Sequence, residues 1–378
     1  MKRLFFALSV NLIVVGNLIA AGKVTLLRVP DGGVQPRTAA DTTGKIHLVY
    51  LKGDPKACDV FYATKEAGRT NFLKPLSVNT QPGSAIAVGT VRGADIALGR
   101  GGRTHIAWNG SQQAGASDGA PMLYARLNDA RDNFEPQRNL MTSTTHLDGG
   151  GSVAADADGN VYVIWHGHRR AGPQDERHRA VFLARSTDDG KTFAPEQEIS
   201  PEGSGACGCC GLKAFADTSG RLAVLYRAAN AAGNRDVTLL VSRDHGNTFQ
   251  SSVLGPWKIS MCPMSTMSLG EEDDGRLLAA WETAGQVWYS KIGGKAGDSA
   301  TPVSVPGNAG QRKHPVLTSS AKGSGIFLAW TEGTGWARGG SLAWERVESG
   351  ESGWAEGVPV WGSVAAVAEL DGGFTIIY

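Results

Sequence analysis

Charge is scarce in this chain, and neither sign prevails. Lys and Arg number 37 against 36 Asp and Glu in 378 residues, a formal net charge of +1. That balance excludes a partner recognised by bulk charge, such as nucleic acid or an acidic polymer. Aromatic residues are modest at 7%. Cysteines number only five, an odd count, so at least one thiol is free or pairs between molecules. None lies near the N-terminus, the first being Cys58, which excludes a lipid-modified cysteine there. The long apolar run is Leu4 to about Ala21, preceded by Lys2 and Arg3 and followed by Gly22. Asn11, Gly16 and Asn17 interrupt it, so residues 1–22 read as an export signal, with an uncleaved anchor as the alternative. The expectation is a periplasmic or secreted protein with no membrane span in the mature chain. It would form one domain over 23–378, in a compartment that permits disulfides.

Glycine, by contrast, is abundant at 51 residues, and it marks a repeat. A glycine followed six residues later by an aromatic, with a β-rich run between, recurs about every 55 residues. The copies end at Tyr50, Trp108, Trp165, Tyr226, Trp281 and Tyr378, and a seventh, ending at Trp330, has its glycines at 323 and 325 instead. Each copy is a small sheet that cannot bury its own faces, so neighbours must stack. Four strands can be read in one repeat: those opening at Gly151, Gly159 and Ala180, and a last one from Phe193. The pattern predicts an all-β fold, a β-propeller of four-stranded blades, seven in number with six as the alternative. The seventh repeat stops at Tyr378 after two strands. The orphan strand from Lys23 to Val29 is expected to complete that blade, closing the ring and removing its open edge.

Two segments between third and fourth strands, Ser186–Phe193 and Ser242–Phe249, share the pattern S-x-D-x-G-x-T-F. They resemble the Asp-box (BNR) hairpin of the sialidase superfamily, in which the Asp caps turn amides and the Gly takes a positive φ. The resemblance extends over roughly residues 205–285. There Gly211 to Arg227 is similar to the family's strand–turn–strand ending in a substrate-gripping arginine, and Cys262 to Ser265 is similar to its Cys-x-x-Ser. Gly211 holds the place of the family's glutamate, and its nucleophilic tyrosine falls nearest His314. The family's acid has its counterpart at Asp54, and Arg37 lies near the opening arginine motif. The resemblance therefore implies the fold and a ligand-binding Arg227. If the chain is a glycoside hydrolase, Asp54, Arg227 and Glu332 are its candidate catalytic groups; that chemistry needs two carboxylates at a set separation.

Cys207, Cys209 and Cys210 stand together, and Cys262 and Met264 follow one blade later. Both groups fall in connections from a fourth strand to the next first strand. In a propeller those connections share one face with the loops between second and third strands. Arg37, His166, Arg227, Arg235, His314 and Trp336 are candidate ligand-binding residues of that face, where function sits on loops held by a rigid frame. Glu176 to Arg179 reads as a solvated loop. The five sulfurs allow a blade-to-blade disulfide to Cys262, a soft metal site for copper or zinc, or a reactive thiol. Three functions remain: binding of a small molecule or metal ion at the central face, glycoside hydrolysis with a divergent site, and non-catalytic recognition of glycan or protein.

Overall fold

Seven small sheets stand around one axis in the computed structural model. It describes residues 23–378 apart from 115–118, 218, 231–232, 273, 294–300, 308–309 and 320–324. The export-signal segment 1–22 lies outside the described residues. The innermost strands are Val34–Ala40, Asp95–Leu98, Ser152–Ala155, Lys213–Ala216, Met267–Glu271, Arg312–Ser319 and Ala365–Ala368. Six blades carry four antiparallel strands in chain order; blade three adds a two-residue strand, Thr144–Thr145, on Val161–Arg169. Among the described residues the helices are three single 3-10 turns, and no helix is long and apolar enough to cross a membrane.

The seventh blade has three strands. Val24–Leu27 pairs with Phe374–Ile377, as the orphan strand predicted, but in parallel, Val24 facing Phe374 and Leu27 facing Ile377. Connectivity dictates that direction. The strand must end on the face where Val34–Ala40 begins, as the fourth strand of every other blade does. With no third strand available, it lies directly on the second.

The repeated aromatic has one job throughout. Along Val161–Arg169, Val161, Val163 and Trp165 face blade two, while Tyr162 and Ile164 face blade four. That alternation is the two-residue period of a strand with both faces buried. Tyr50 packs toward blade seven, Trp108 toward blade one, Tyr226 toward blade three, Trp281 toward blade four and Trp330 toward blade five. Each ring thus fills the seam with the preceding blade. Truncating one such ring costs about 3–5 kcal/mol. His47 and His105 belong to this packing, bonding the hydroxyls of Tyr62 (2.6 Å) and Tyr124 (2.7 Å).

The two S-x-D-x-G-x-T-F hairpins make matching bonds. Asp188 accepts from the Thr192 amide (2.8 Å) and hydroxyl (2.7 Å), and Asp244 does the same with Thr248 at 2.9 and 2.7 Å. Gly190 and Gly246 take φ values of 77° and 82°, which a side chain would strain.

Candidate functional site: a sealed hub with a sulfur cluster

Two innermost strands open with a left-handed residue before a proline: Gln35 and His314, both at φ near 50° (53° each). Pro36 and Pro315 supply no amide, and the register shifts there, between Val34 and Arg37 and between Lys313 and Val316. Both bulges direct a side chain onto the loop that joins blades one and two. This connection, residues 78–94, is the longest between blades. Ala85 exchanges both backbone bonds with Cys58 at 2.9 Å. Gln35 donates to the Ala87 carbonyl, and Arg92 pairs with Asp148. Thr90 Oγ1 lies 2.9 Å from His314 Nε2. Farther on, Val91 abuts Gly150 and Gly211, and Gly89 abuts the Trp336 ring. One loop therefore reaches blades one, three, four and six and closes this face of the hub.

His314 is sealed beneath it, with Nδ1 2.8 Å from the Thr331 hydroxyl. Burial pushes its pKa down to about 3, and the charges of Lys313 and Arg37 add to the shift. The unfolded chain takes up this proton near pH 6.5 and the folded chain does not, so stability is full above 6.5 and falls as pH drops toward 3. We expect a loss of about 1.4 kcal/mol per pH unit from this one group between pH 6 and 4. Urea midpoints across that range should show a slope shallower by one proton in His314→Asn.

Beside the plug lies the cysteine loop. Cys210 N donates to Cys207 O (3.2 Å), a tight turn that stacks the two thiols with Sγ atoms 3.0 Å apart. Cys209 Sγ is 3.5 Å from Cys207 Sγ, and these three sulfurs lie within 4.8 Å of one another. Cys209 is bridged to Cys262, joining the loops that lead into blades four and five; Cys58, Cys207 and Cys210 are free and buried. Of the sequence alternatives for the bridge to Cys262, Cys209 is the residue that makes it. The loop is held by Cys207 N to Arg227 O (2.8 Å) and Gly211 N to Ser265 O (2.9 Å). Gly149 is required opposite it, since a Cβ there would collide with the Cys210 carbonyl.

Three guanidiniums act on the cluster. Burial would raise the Cys210 thiol, but the Cys207 hydrogen bond, Arg227 and Ser265 bring it down to about 7. Cys207 is raised, first by its bond to Cys210 and then by burial, with Arg235 opposing. The two shifts run in opposite directions because Cys207 and Cys210 share one hydrogen bond. Arg179 also interacts with Cys207 and donates to the His146 carbonyl at 2.6 Å.

The other sequence-selected residues are placed as follows. Arg227 is 1% exposed: Nε donates to Ser265 Oγ (2.8 Å), and its terminal nitrogens donate to the carbonyls of Arg235 and Glu282 (2.5 Å each). The guanidinium is buried here and spends its donors on protein acceptors rather than presenting them on an open face. Arg235 pairs with Glu176 at 2.6 Å, so the Glu176–Arg179 segment is part of the hub's edge rather than only a solvated loop. His166 Nε2 contacts the Cys210 carbonyl at 2.8 Å, but among the described residues no imidazole joins the donor-atom cluster. Met264, half-buried at φ 49°, has a carbonyl 3.4 Å from Lys313 Nζ. Cys262, as half of the bridge, offers no thiolate while the bridge stands.

Asp54 is exposed at a hairpin tip, where it accepts from the Lys56 amide at 2.9 Å. Glu332 accepts from Arg312 (3.0 Å) and Trp330 (2.9 Å). Each carboxylate is engaged within its own blade. Trp336 stands 56% exposed on the rim, edge-on to Trp361 with ring centroids 5.3 Å apart. Arg37 lines the axial channel instead of this face. The plug was not selected from sequence, Arg179 was read only as part of a solvated loop, and Ser265 only as the end of the Cys-x-x-Ser segment. The length of connection 78–94 and its small residues, Gly83, Ser84, Ala85, Ala87 and Gly89, were the available signal.

These features define the class: a seven-bladed β-propeller closed over its hub by its own chain, with a sulfur cluster under the closed face. Among solved structures it is similar to a Hadza microbial sialidase, at 13% identity and TM-score 0.51, covering 86% of this chain and 74% of that one. It is likewise similar to the Penicillium chrysogenum α-L-arabinanase complexed with arabinobiose (12%, TM-score 0.51, covering 81% and 90%). A third is the GH93 α-L-arabinofuranosidase of Fusarium graminearum (12%, TM-score 0.51, covering 82% and 92%). At such identities the likeness is one of fold, and it extends beyond sialidases. No protein-family model matches the chain, and no curated protein matches it in sequence.

Proposed function

We propose that this is an exported metal-binding propeller that holds one copper(I) ion on the thiolates of Cys207, Cys209 and Cys210. The observation that carries the reading is the set of three sulfurs within 4.8 Å of one another, Cys207 and Cys210 buried and Cys209 half-buried, without an imidazole among them. An all-sulfur donor set is soft and suits copper(I) ahead of zinc. Arg179, Arg227 and Arg235 supply the positive field that three thiolates in a dry site require. Cys209 becomes a ligand when an external dithiol supplies two electrons and two protons to its bridge to Cys262, itself being oxidised to a disulfide, and Cys262 then remains as a fourth sulfur nearby. A glycan partner is favoured by a separate feature, the outward Trp336 ring beside Trp361, and belongs to the rim rather than the cluster.

The test is an anaerobic titration of reduced protein with copper(I) against bicinchoninate, followed by X-ray absorption. One ion per chain with sulfur-only scattering is expected. Failure to hold copper against the chelator, or nitrogen and oxygen in the coordination shell, would overturn the reading.

A further inference from the structure

The axial channel lies under the plug and opens on the opposite face. Innermost strands begin on the cysteine-loop face, so Arg37, Asp95 and Lys213, each at or near the start of its strand, stand at the closed end. Ala40, Ser319 and Ala368, at the strand ends, surround the mouth. The cavity measures about 340 Å³. The connection 78–94 crosses the hub above it, with Ala87 held by Gln35, Thr90 by His314 and Val91 against Gly150 and Gly211.

The charges at the closed end do not balance. Lys213 Nζ is 2.7 Å from both oxygens of Asp95, which also accepts from the Ser152 hydroxyl (2.5 Å) and the Val153 amide (3.2 Å). Asp95 is fully committed. Arg37 Nη1 reaches only the Pro36 carbonyl (3.1 Å) and Ser363 Oγ (3.4 Å). Its Nε and Nη2 bond to nothing among the described residues. Burial disfavours this guanidinium's charge, and Asp95 offsets that only in part. Glu271, near the mouth, is already paired with Arg221. Two cations therefore face one carboxylate in a confined space, and a planar fork of donors is left over. Such a fork matches a carboxylate. The walls are apolar beyond the charged groups, from Met267 at the start of its strand and Phe215, Leu269 and Leu317 farther along theirs.

We propose that this channel is a binding site for a small organic carboxylate, with its carboxyl on Arg37 and its apolar part against those walls. The site is separate from the sulfur cluster and does not depend on it. The channel admits a ligand only from the face opposite the cysteine loops, since the plug covers the other end.

The experiment is calorimetry and thermal shift on the mature chain with butyrate and benzoate, against chloride at equal ionic strength. One saturable carboxylate site is expected, with chloride giving no comparable effect. Arg37→Gln should weaken binding by about ten-fold or more, and Arg37→Lys, which keeps the charge but loses the fork, by less. Asp95→Asn frees Lys213 and should tighten binding several-fold, a gain that misfolding would not produce. Chloride acting as well as butyrate, Arg37→Lys binding like wild type, or Asp95→Asn weakening the site would each overturn the proposal.

Discussion

Cys210→Ser is expected to lower copper(I) affinity by about a thousand-fold: a soft metal bound with about 12 kcal/mol shares that energy among three thiolates, about 4 kcal/mol each. Serine keeps the size of the side chain but offers no soft donor. Cys58→Ser supplies the control. It too removes a buried free thiol, but Cys58 lies in blade one against Ala85, and burial pushes that thiol up to about 12. Its loss should leave copper binding unchanged. Cys262→Ser separates the staple from the ligands. It should cost about 2–4 kcal/mol in unfolding free energy, as a bridge spanning 53 residues of sequence is lost. The same change leaves Cys209 without its bridge partner, so under anaerobic conditions copper(I) should bind without prior reduction of the Cys209–Cys262 bridge. Competition against bicinchoninate measures all three variants. A Cys210→Ser protein that holds copper like wild type would remove the cluster from consideration.

Arg227→Met should destabilise the folded chain by about 3–5 kcal/mol, read as a lower urea midpoint at pH 7. The guanidinium ties blade four to blade five through Ser265 and Glu282, and to its own blade through the Arg235 carbonyl. Removing it leaves two buried carbonyls and a hydroxyl without donors, and methionine supplies only bulk. Its positive charge also acts on Cys210. Cys210 is buried and must open to react, so its alkylation under mild urea should be faster in the destabilised variant. A substrate-gripping arginine on an open face would give the opposite pattern, with ligand binding lost and stability kept. An unchanged urea midpoint would show that the bonds to Ser265 and the two carbonyls contribute nothing net.

The segment Gly211–Arg227 supplies the first two strands of blade four, as its pattern predicted, but its sequence carried no information about access. Residue order puts Arg227 at the end of a second strand, where a propeller's central face begins. It does not say whether another loop will cover that position. Residues 78–94 do so, and their small side chains carry no motif. The same loop buries His314, whose place before Pro315 gave no sign that Thr90, 224 positions away, would become its partner. For the cysteines, spacing brought the loops together across one blade boundary. The bridge then fell to Cys209 because the Cys207–Cys210 turn directs the other two sulfurs toward each other.

By itself, the order of residues determined the number of blades, the strands within them and the closure through the first strand. Those follow from periodicity, because each repeat must bury both faces against copies of itself. Which polar groups stay reachable by solvent was decided only by tertiary structure. That outcome depends on a long irregular connection crossing the axis, and on a well beneath it whose surplus cation comes from strands distant in the chain.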